Sequence, residues 1–309
     1  MTIQQLQYVV ALDNHRHFVN AAKSCNVAQP TLTLQVKKLE EQMSMLLFDR
    51  SLQPLKPTPL GEIFIARARQ ILRDIEQLKS FVNDERNQLE GTFRLGVIPT
   101  LSPYLLPLFI GPFLQEHPNT RFEIQELQSK DIITGLEHDM LDIGILVTPL
   151  EEINLREIPV FYEPFLLFSN ENNSILQNAK IGVDDLDQKD LWLLGQGHCF
   201  RNQTMNLCRY GEHTVRRNLQ MEGGSIETLK KFVRNVSGYT LIPELAFDEN
   251  LDKTNVRRFE NPEPVREVSI VVHKTFTKEL LLTKLRKAIL EHTPEKFKKN
   301  SRFMTVKWR

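Results

Sequence analysis

The spacing of apolar positions divides the chain into three kinds of pattern. Up to about residue 57, short helical stripes follow one another: Leu6, Val9 and Val10 share one face, and Phe18, Ala21 and Ala22 form a second. Leu32, Val36, Leu39 and Met43 then recur at helical 4,3,4 spacing. Between the second and third stripes lies Cys25-Asn26-Val27-Ala28-Gln29-Pro30, a tight connection whose proline suits the first turn of the next helix. The pattern predicts a compact helix-turn-helix.

Thr58-Pro59 is a helix start, threonine as N-cap and proline at the first helical position. Phe64, Ala68, Ile71, Ile75, Leu78 and Val82 follow at 4,3,4,3,4 spacing, with Leu89 one heptad further. The repeat averages about 3.5 residues, the period of a coiled-coil seam. A span of about 30 residues is roughly 45 Å long, more than the small N-terminal module covers. The stripe is therefore expected to pair with a second copy; the competing reading is an amphipathic helix packed on its own chain.

Gly91 ends that helix, and strand and helix patterns alternate afterwards. Phe93, Leu95 and Val97 alternate as a strand, Ser102-Pro103 opens a helix to about His117, and Phe122 and Ile124 lie on the next strand. Ile132 to Met140 reads as helix and Asp142 to Val147 as an apolar strand, which together make a βαβαβ unit with a parallel sheet. A second set begins near residue 165. It has strands at Leu191–Leu194, Leu219–Glu222, Tyr239–Ile242 and Val268–Val272, and helices near 200–209, 226–236 and Lys278 to His292. Two α/β lobes fit this count, with ligands expected at the carboxyl ends of strands and helix N-termini. The stretch 296–309 is basic with interleaved aromatics and reads as a solvated tail.

Composition narrows the class little. Lys plus Arg and Asp plus Glu balance at 39 each, so any nucleic-acid role must rest on a segment. Three cysteines in 309 residues make no disulfide scaffold. No early apolar segment and no run of about 18 apolar residues occurs. A cytoplasmic protein without membrane association is expected, in which any disulfide would be transient.

Two of the cysteines, Cys199 and Cys208, stand nine residues apart in a segment of helical pattern. Nine residues of helix advance about 13.5 Å and turn about 900°, whereas a disulfide needs Cα atoms about 4.4 to 6.8 Å apart. If the segment is helical, the two cannot be bonded without unwinding it. His198 and Arg201 flank Cys199, and a helix N-terminus follows, all of which would lower its thiol pKa. From spacing alone, inert, partly buried thiols are the more frequent reading of such a pair. A metal site of His198, Cys199, Cys208 and His213 is irregular for structural zinc and lacks a CxxC, so no metal and no cofactor is assigned. Cys25 reads as packing of the helical module. No Gly-rich phosphate loop, two-carboxylate site or Ser-His-Asp arrangement recommends an enzyme.

The third N-terminal helix offers Gln29, Thr31, Thr33, Gln35 and Lys37 as polar positions, with Lys38 and Arg50 nearby, suited to base edges and phosphates. Phe18, Ala21-Ala22, Gln29-Pro30-Thr31-Leu32-Thr33, Leu39-Glu40, Leu47-Phe48-Asp49-Arg50 and Thr58-Pro59-Leu60-Gly61 resemble the winged helix-turn-helix of LysR-type transcriptional regulators. The likeness runs through nearly all the chain except the tail. It implies an α+β multidomain protein: a winged helix-turn-helix at 1–58, a linker and dimerisation helix at 59–90, and at 91–295 a two-lobed α/β regulatory domain like periplasmic binding proteins, before the basic tail. It also implies that Gln29, Pro30, Thr31, Thr33, Gln35, Lys37 and Arg50 contact double-stranded promoter DNA, and that the protein is a homodimer or homotetramer with RNA polymerase as a partner. Ser44 departs from the glycine usual after the recognition helix.

Within that family, Val97 to Pro107 and Gly197 to Cys208 resemble the peroxide-sensing members. The resemblance implies that Cys199 is the peroxidatic thiol, Cys208 its resolving partner and a thiol reductant a further partner. Thr100, Ser129, His198, Arg201 and Asn202 would form the hydrogen peroxide pocket. Asn202 stands where such sensors carry Asp, Ser129 where Thr is frequent, and Phe200 and Val236 replace Leu and Gly. The leading expectation is a peroxide-sensing regulator of oxidative-stress genes, not an enzyme. The alternatives are a metabolite-binding regulator with incidental cysteines and a thiol peroxidase.

Overall fold

The computed structural model describes residues 1–84, 89–186, 191–208, 225–298 and 302–308. Its contacts separate into two compact units: Met1–Gln88 with two short outlying segments, and the rest of the chain from Leu89. In the first unit, α1 (Ile3–His15), α2 (Phe18–Ser24) and α3 (Gln29–Met43) form as the apolar stripes predict. Thr2 closes a capping box: its hydroxyl accepts from the Gln5 amide at 3.2 Å, and Gln5 Oε1 accepts from the Thr2 amide at 2.9 Å. Val9, Leu12, Ala21, Leu32, Val36 and Leu39 bury together between the three helices. The paired strands β1 (Phe48–Asp49) and β2 (Lys56–Pro57) make the wing.

The long helix α4 (Pro59–Asp84) starts at the expected threonine, whose hydroxyl accepts from the Gly61 amide at 3.0 Å and donates to the Leu46 carbonyl at 2.7 Å. Gly61 must be glycine, because a Cβ there would stand 2.0 Å from the Leu47 carbonyl oxygen. Along the seam Phe64 is half-buried and Ala68 buried, while Ile71 and Leu78 are exposed, Leu78 by 72%. The Val82 side chain lies outside the described residues.

The second unit opens with β3 (Gly91–Val97), α5 (Ser102–Glu116), β4 (Thr120–Glu126), α6 (Ser129–Glu137) and β5 (Ile143–Thr148). β3 is parallel to both β4 and β5, as the alternation predicts. There follow β6 (Leu155–Ser169), β7 (Lys180–Ile181), α7 (Cys199–Leu207), α8 (Ile226–Asn235) and β8 (Tyr239–Pro243). After them come α9 (Glu249–Asp252), β9 (Val256–Phe259), β10 (Glu263–His273), α10 (Glu279–His292) and β11 (Phe303–Thr305). The strand order is β4-β3-β5-β10-β6-β9-β7, with β8 beside β6 and β11 beside β10. The long strands β6 and β10 are the shared spine of the two lobes, β10 pairing with β5 on one side and β6 on the other.

The structure departs from the periodicity in three places. β6 is a strand the periodicity does not predict, because Pro159 and Pro164 mask its pattern; the register slips opposite Pro159, between Val268 and Ser269, where a bulge tolerates the missing donor. The strand expected at Leu191–Leu194 reduces to a single bridge from Leu191 to Tyr239, and the one expected at Leu219–Glu222 lies outside the described residues. The basic tail is not a solvated appendage: Phe297 stacks on Phe161 with centroids 5.8 Å apart, β11 joins the sheet, and Val306 and Trp308 are buried.

Ser44 ends α3 at φ 50°, ψ 36°, its amide donating to the Glu40 and Glu41 carbonyls. The helix thus terminates as the usual glycine would end it, with an exposed L side chain in the left-handed region. Ser44→Gly is expected to stabilise the N-terminal unit by about 0.5–1 kcal/mol, read as a rise in the midpoint of its denaturant transition; an unchanged or lower midpoint contradicts this.

Candidate functional site

α7 positions the thiols. Gly197, at φ +89°, turns the chain into it, His198 is the N-cap, Cys199 the first helical residue and Cys208 the C-cap. Both cysteines are buried and neither is in a disulfide. Cys208 packs among Phe200, Leu207 and Leu194, and burial pushes its thiol up to about 12. Cys199 faces a cavity of 410 Å³ that it lines with Ser129, Asn202 and Trp308. Burial raises its pKa, and four groups oppose that rise: the Arg266 charge, the Ser129 hydroxyl, and the backbone amides of Phe200 and of Cys199 itself. The Ser129 hydroxyl stands at the N-terminus of α6, buried, close enough to act on the thiol but short of a complete hydrogen bond.

Arg266 is the centre of the polar interior. The antiparallel register of β6 and β10 sets it directly opposite Glu163. Its Nε donates to Glu163 Oε2 at 2.8 Å, Nη1 to Thr100 Oγ1 at 2.8 Å and Nη2 to the Thr100 carbonyl at 2.9 Å. Its guanidinium lies 5.3 Å from the Phe200 ring centroid, and Phe200 stacks in turn on Phe165. Glu163 accepts from the Leu245 amide at 2.8 Å. Burial pushes its carboxyl up, and the Arg266 guanidinium opposes that push.

The sequence-predicted residues therefore divide. Cys199, Ser129 and Asn202 share the cavity, and Thr100 joins the same site through Arg266. His198 and Arg201 are not among the cavity-lining residues. Arg201 Nη1 donates to the Leu194 carbonyl at 2.8 Å. Burial lowers the His198 pKa, against a weaker upward effect of Glu126, which disfavours the charged imidazolium. The cation acting on Cys199 is Arg266, not these sequence neighbours. Sequence reading missed Arg266 and Glu163 because no local motif marks them; a charged pair set within apolar strand pattern was the available signal. His213, weighed as a metal ligand, lies outside the described residues. Among the described residues no cluster of three His, Cys, Asp or Glu could hold a metal ion.

In the N-terminal unit, Gln29, Pro30, Thr31 and Lys37 are exposed on α3. Thr33 is half-buried, its hydroxyl donating to the Gln29 carbonyl at 2.9 Å, and half-buried Gln35 accepts from Gln5 Nε2 at 3.2 Å. Arg50 is tethered at the wing, 2.7 Å from buried Glu40 and 5.7 Å over the Phe18 ring, while Glu40 also accepts from the Leu47 amide at 2.9 Å.

This combination of a winged helix-turn-helix and a two-lobed α/β domain has a clear family. The bacterial regulatory helix-turn-helix of the lysR family matches residues 3–62, and the LysR substrate binding domain matches residues 86–294. The chain belongs to the LysR family of bacterial transcriptional regulators. It is 33% identical over 273 residues to a hydrogen peroxide-inducible genes activator of Haemophilus influenzae, covering 88% of this chain and 90% of that one. It is 34% identical to the DNA-binding transcriptional dual regulator OxyR of Escherichia coli, over 88% of this chain and 89% of that one. Among solved structures, a full-length OxyR variant from Pseudomonas aeruginosa matches at TM-score 0.80 and 31% identity, covering 95% and 99% of the two chains. The family and these relatives are regulators, not enzymes. No helix among the described residues is long and apolar enough to cross a membrane.

The ion pair's two contributions can be separated. Arg266→Met leaves Glu163 buried and unpaired, with an expected loss of about 3–5 kcal/mol in a denaturant melt. Adding Glu163→Gln should recover most of that stability without restoring Cys199 reactivity. Burial holds the Cys199 thiol up, so its thiolate fraction, and its alkylation rate with iodoacetamide, should rise about tenfold per pH unit below its pKa. Both variants should displace this profile to higher pH. A profile unmoved by loss of Arg266 would refute its electrostatic role.

Proposed function

We propose that the chain is a peroxide-sensing DNA-binding transcriptional regulator, switched by reversible formation of a Cys199–Cys208 disulfide and controlling oxidative-stress genes in the cytoplasm. The observation that carries this reading is the placement of two thiols, neither in a disulfide, at the two ends of one short helix, the first at a cavity and under the influence of a buried guanidinium. The peroxide-responsive relatives support it from outside the chain.

In the proposed reaction, the Cys199 thiolate attacks one oxygen of hydrogen peroxide. The O–O bond breaks, the sulfur becomes a sulfenic acid, and the second oxygen leaves as hydroxide that takes a proton to become water. Ser129 and Asn202, which share the cavity with the thiol, would orient the peroxide, and Thr100 would fix Arg266, whose charge favours the thiolate and the departing oxygen. His198, half-buried at the N-cap of α7, would pass protons beside the thiol, and Arg201 would hold the turn before α7 through the Leu194 carbonyl. Cys208 then displaces water from the sulfenic sulfur to give the disulfide. The two Cα atoms, about 13.5 Å apart along an intact helix, must close to under about 7 Å, so α7 unwinds and the lobe repacks.

The output is a change in how paired modules engage promoter DNA. Gln29, Pro30, Thr31, Thr33, Gln35 and Lys37 of α3 and Arg50 of the wing would make the contacts, exposed Gln29 and Thr31 at base edges and Lys37 at phosphate. The exposed Ile71 and Leu78 stripe supports pairing of two copies along α4, and pairing of dimers would give a homotetramer. RNA polymerase and a thiol reductant would complete the cycle.

Stoichiometric hydrogen peroxide should produce a Cys199–Cys208 disulfide by mass spectrometry and a changed promoter footprint. Cys199→Ser should abolish both, and Cys208→Ser should stop at the sulfenic acid. An unmodified Cys199, or a Cys199→Ser protein that still changes its footprint with peroxide, would overturn the reading; stabilisation by an organic acid with that same variant fully functional would favour metabolite binding instead.

A further inference from the structure

The C-terminal segment 302–308 takes no part in the chemistry above, yet it is built against the sensing helix. β11 lies parallel to β10, Phe303 opposite Glu263 and Thr305 opposite Val265, and the Val306 amide donates to the Val265 carbonyl at 2.8 Å. Val306 is buried in the same apolar cluster as Phe200, Leu207 and Cys208. Two amides of α7 then hold the segment's backbone: Gln203 Nε2 donates to the Val306 carbonyl at 2.7 Å and Asn206 Nδ2 to the Lys307 carbonyl at 2.9 Å. Trp308 follows, 9% exposed, its indole forming part of the wall of the Cys199 cavity and its Nε1 donating to the Pro149 carbonyl at 3.1 Å.

We propose that residues 302–308 form a strap that walls the oxidant cavity with Trp308 while the thiols are reduced, so that small hydroperoxides are selected, and that disulfide formation releases the strap's end. The inference rests on the peroxide-sensing reading. Its physical basis is that the residues holding the strap lie between the two cysteines. Two thiols and one hydrogen peroxide give one disulfide and two waters, and that bond cannot form along an intact α7. Gln203 and Asn206 are carried away as the helix unwinds, and the Val306 and Lys307 carbonyls lose those donors. β11 keeps its pairing with β10, so release is confined to residues 306–308. Selection rests on position rather than on total volume, since a cavity of 410 Å³ holds either peroxide: the indole lines the same cavity as Cys199, so a tert-butyl group carried to that thiol has to share the wall with it.

The test uses the full-length chain. In a Cys208→Ser background, the rates at which Cys199 becomes a sulfenic acid are measured with hydrogen peroxide and with tert-butyl hydroperoxide. Trp308→Ala is expected to lower the ratio of the first rate to the second by roughly fivefold or more, and Trp308→Phe to stay near the unmodified ratio. With both cysteines present, Trp192→Phe leaves Trp308 the only one of the two tryptophans, and its emission should move to longer wavelength when peroxide forms the disulfide. An unchanged ratio overturns the selecting role, and unchanged emission alongside a verified disulfide overturns the release. Failure of hydrogen peroxide to oxidise Cys199 in the unmodified protein overturns the sensing reading itself, and the strap's role with it.

Discussion

A guanidinium taken out of water has to be met on every side, and Arg266 is 1% exposed. Its partners come from far apart in the chain: Glu163 on β6, Thr100 in the turn after β3, and the ring of Phe200 on α7. Each contact fixes an element of the site. The carboxylate binds the two spine strands together beyond their ladder, the threonine holds the loop that opens α5, and the aromatic face seats the first turn of the sensing helix. The charge left after pairing acts on Cys199. The fold and the thiol's chemistry therefore draw on the same buried cation.

Against this rigid centre, α7 is built to be expendable. It has nine residues, among them Asn202, Thr204 and Asn206, which are modest helix formers, and helices this short are marginal on their own. Thr204 spends its hydroxyl on the Phe200 carbonyl, and the buried Gln203 Oε1 has no hydrogen-bond partner. An unsatisfied buried acceptor costs about 1–3 kcal/mol, while burying a side chain such as Phe200 or Leu207 returns about 1.5–3 kcal/mol. The helix is thus held chiefly by its apolar residues and by the strap that its amides grip. Such a helix is maintained by its surroundings and yields when a covalent bond demands it.

Much of this was legible in the sequence, and the division between what was and was not follows range. Helical stripes such as Leu32, Val36 and Leu39, the Thr58-Pro59 start and the alternation through Val147 report local periodicity, and all appear where the spacing puts them. The spacing of Cys199 and Cys208 is local too. Arg266 and Glu163 are separated by 103 positions and meet only through a strand register that a bulge adjusts, so no neighbourhood in the sequence joins them. His198 and Arg201 illustrate the converse: adjacency to Cys199 in sequence suggested an electrostatic role, yet the cation among the groups acting on that thiol is Arg266, which is distant in sequence. The tail misled because its lysines and arginines outweigh Phe297, Val306 and Trp308 in composition, although those three decide where it lies.

The central claim is that oxidation of the thiols exchanges a helix for a covalent bond. Amide hydrogen exchange across residues 199–208, followed in the full-length protein before and after stoichiometric peroxide, addresses it directly. The account predicts that amides protected by α7 in the reduced protein, such as that of Cys208 bonded to the Thr204 carbonyl at 3.0 Å, lose their protection once the disulfide has formed. Retained protection in a protein whose disulfide is verified by mass spectrometry would contradict it.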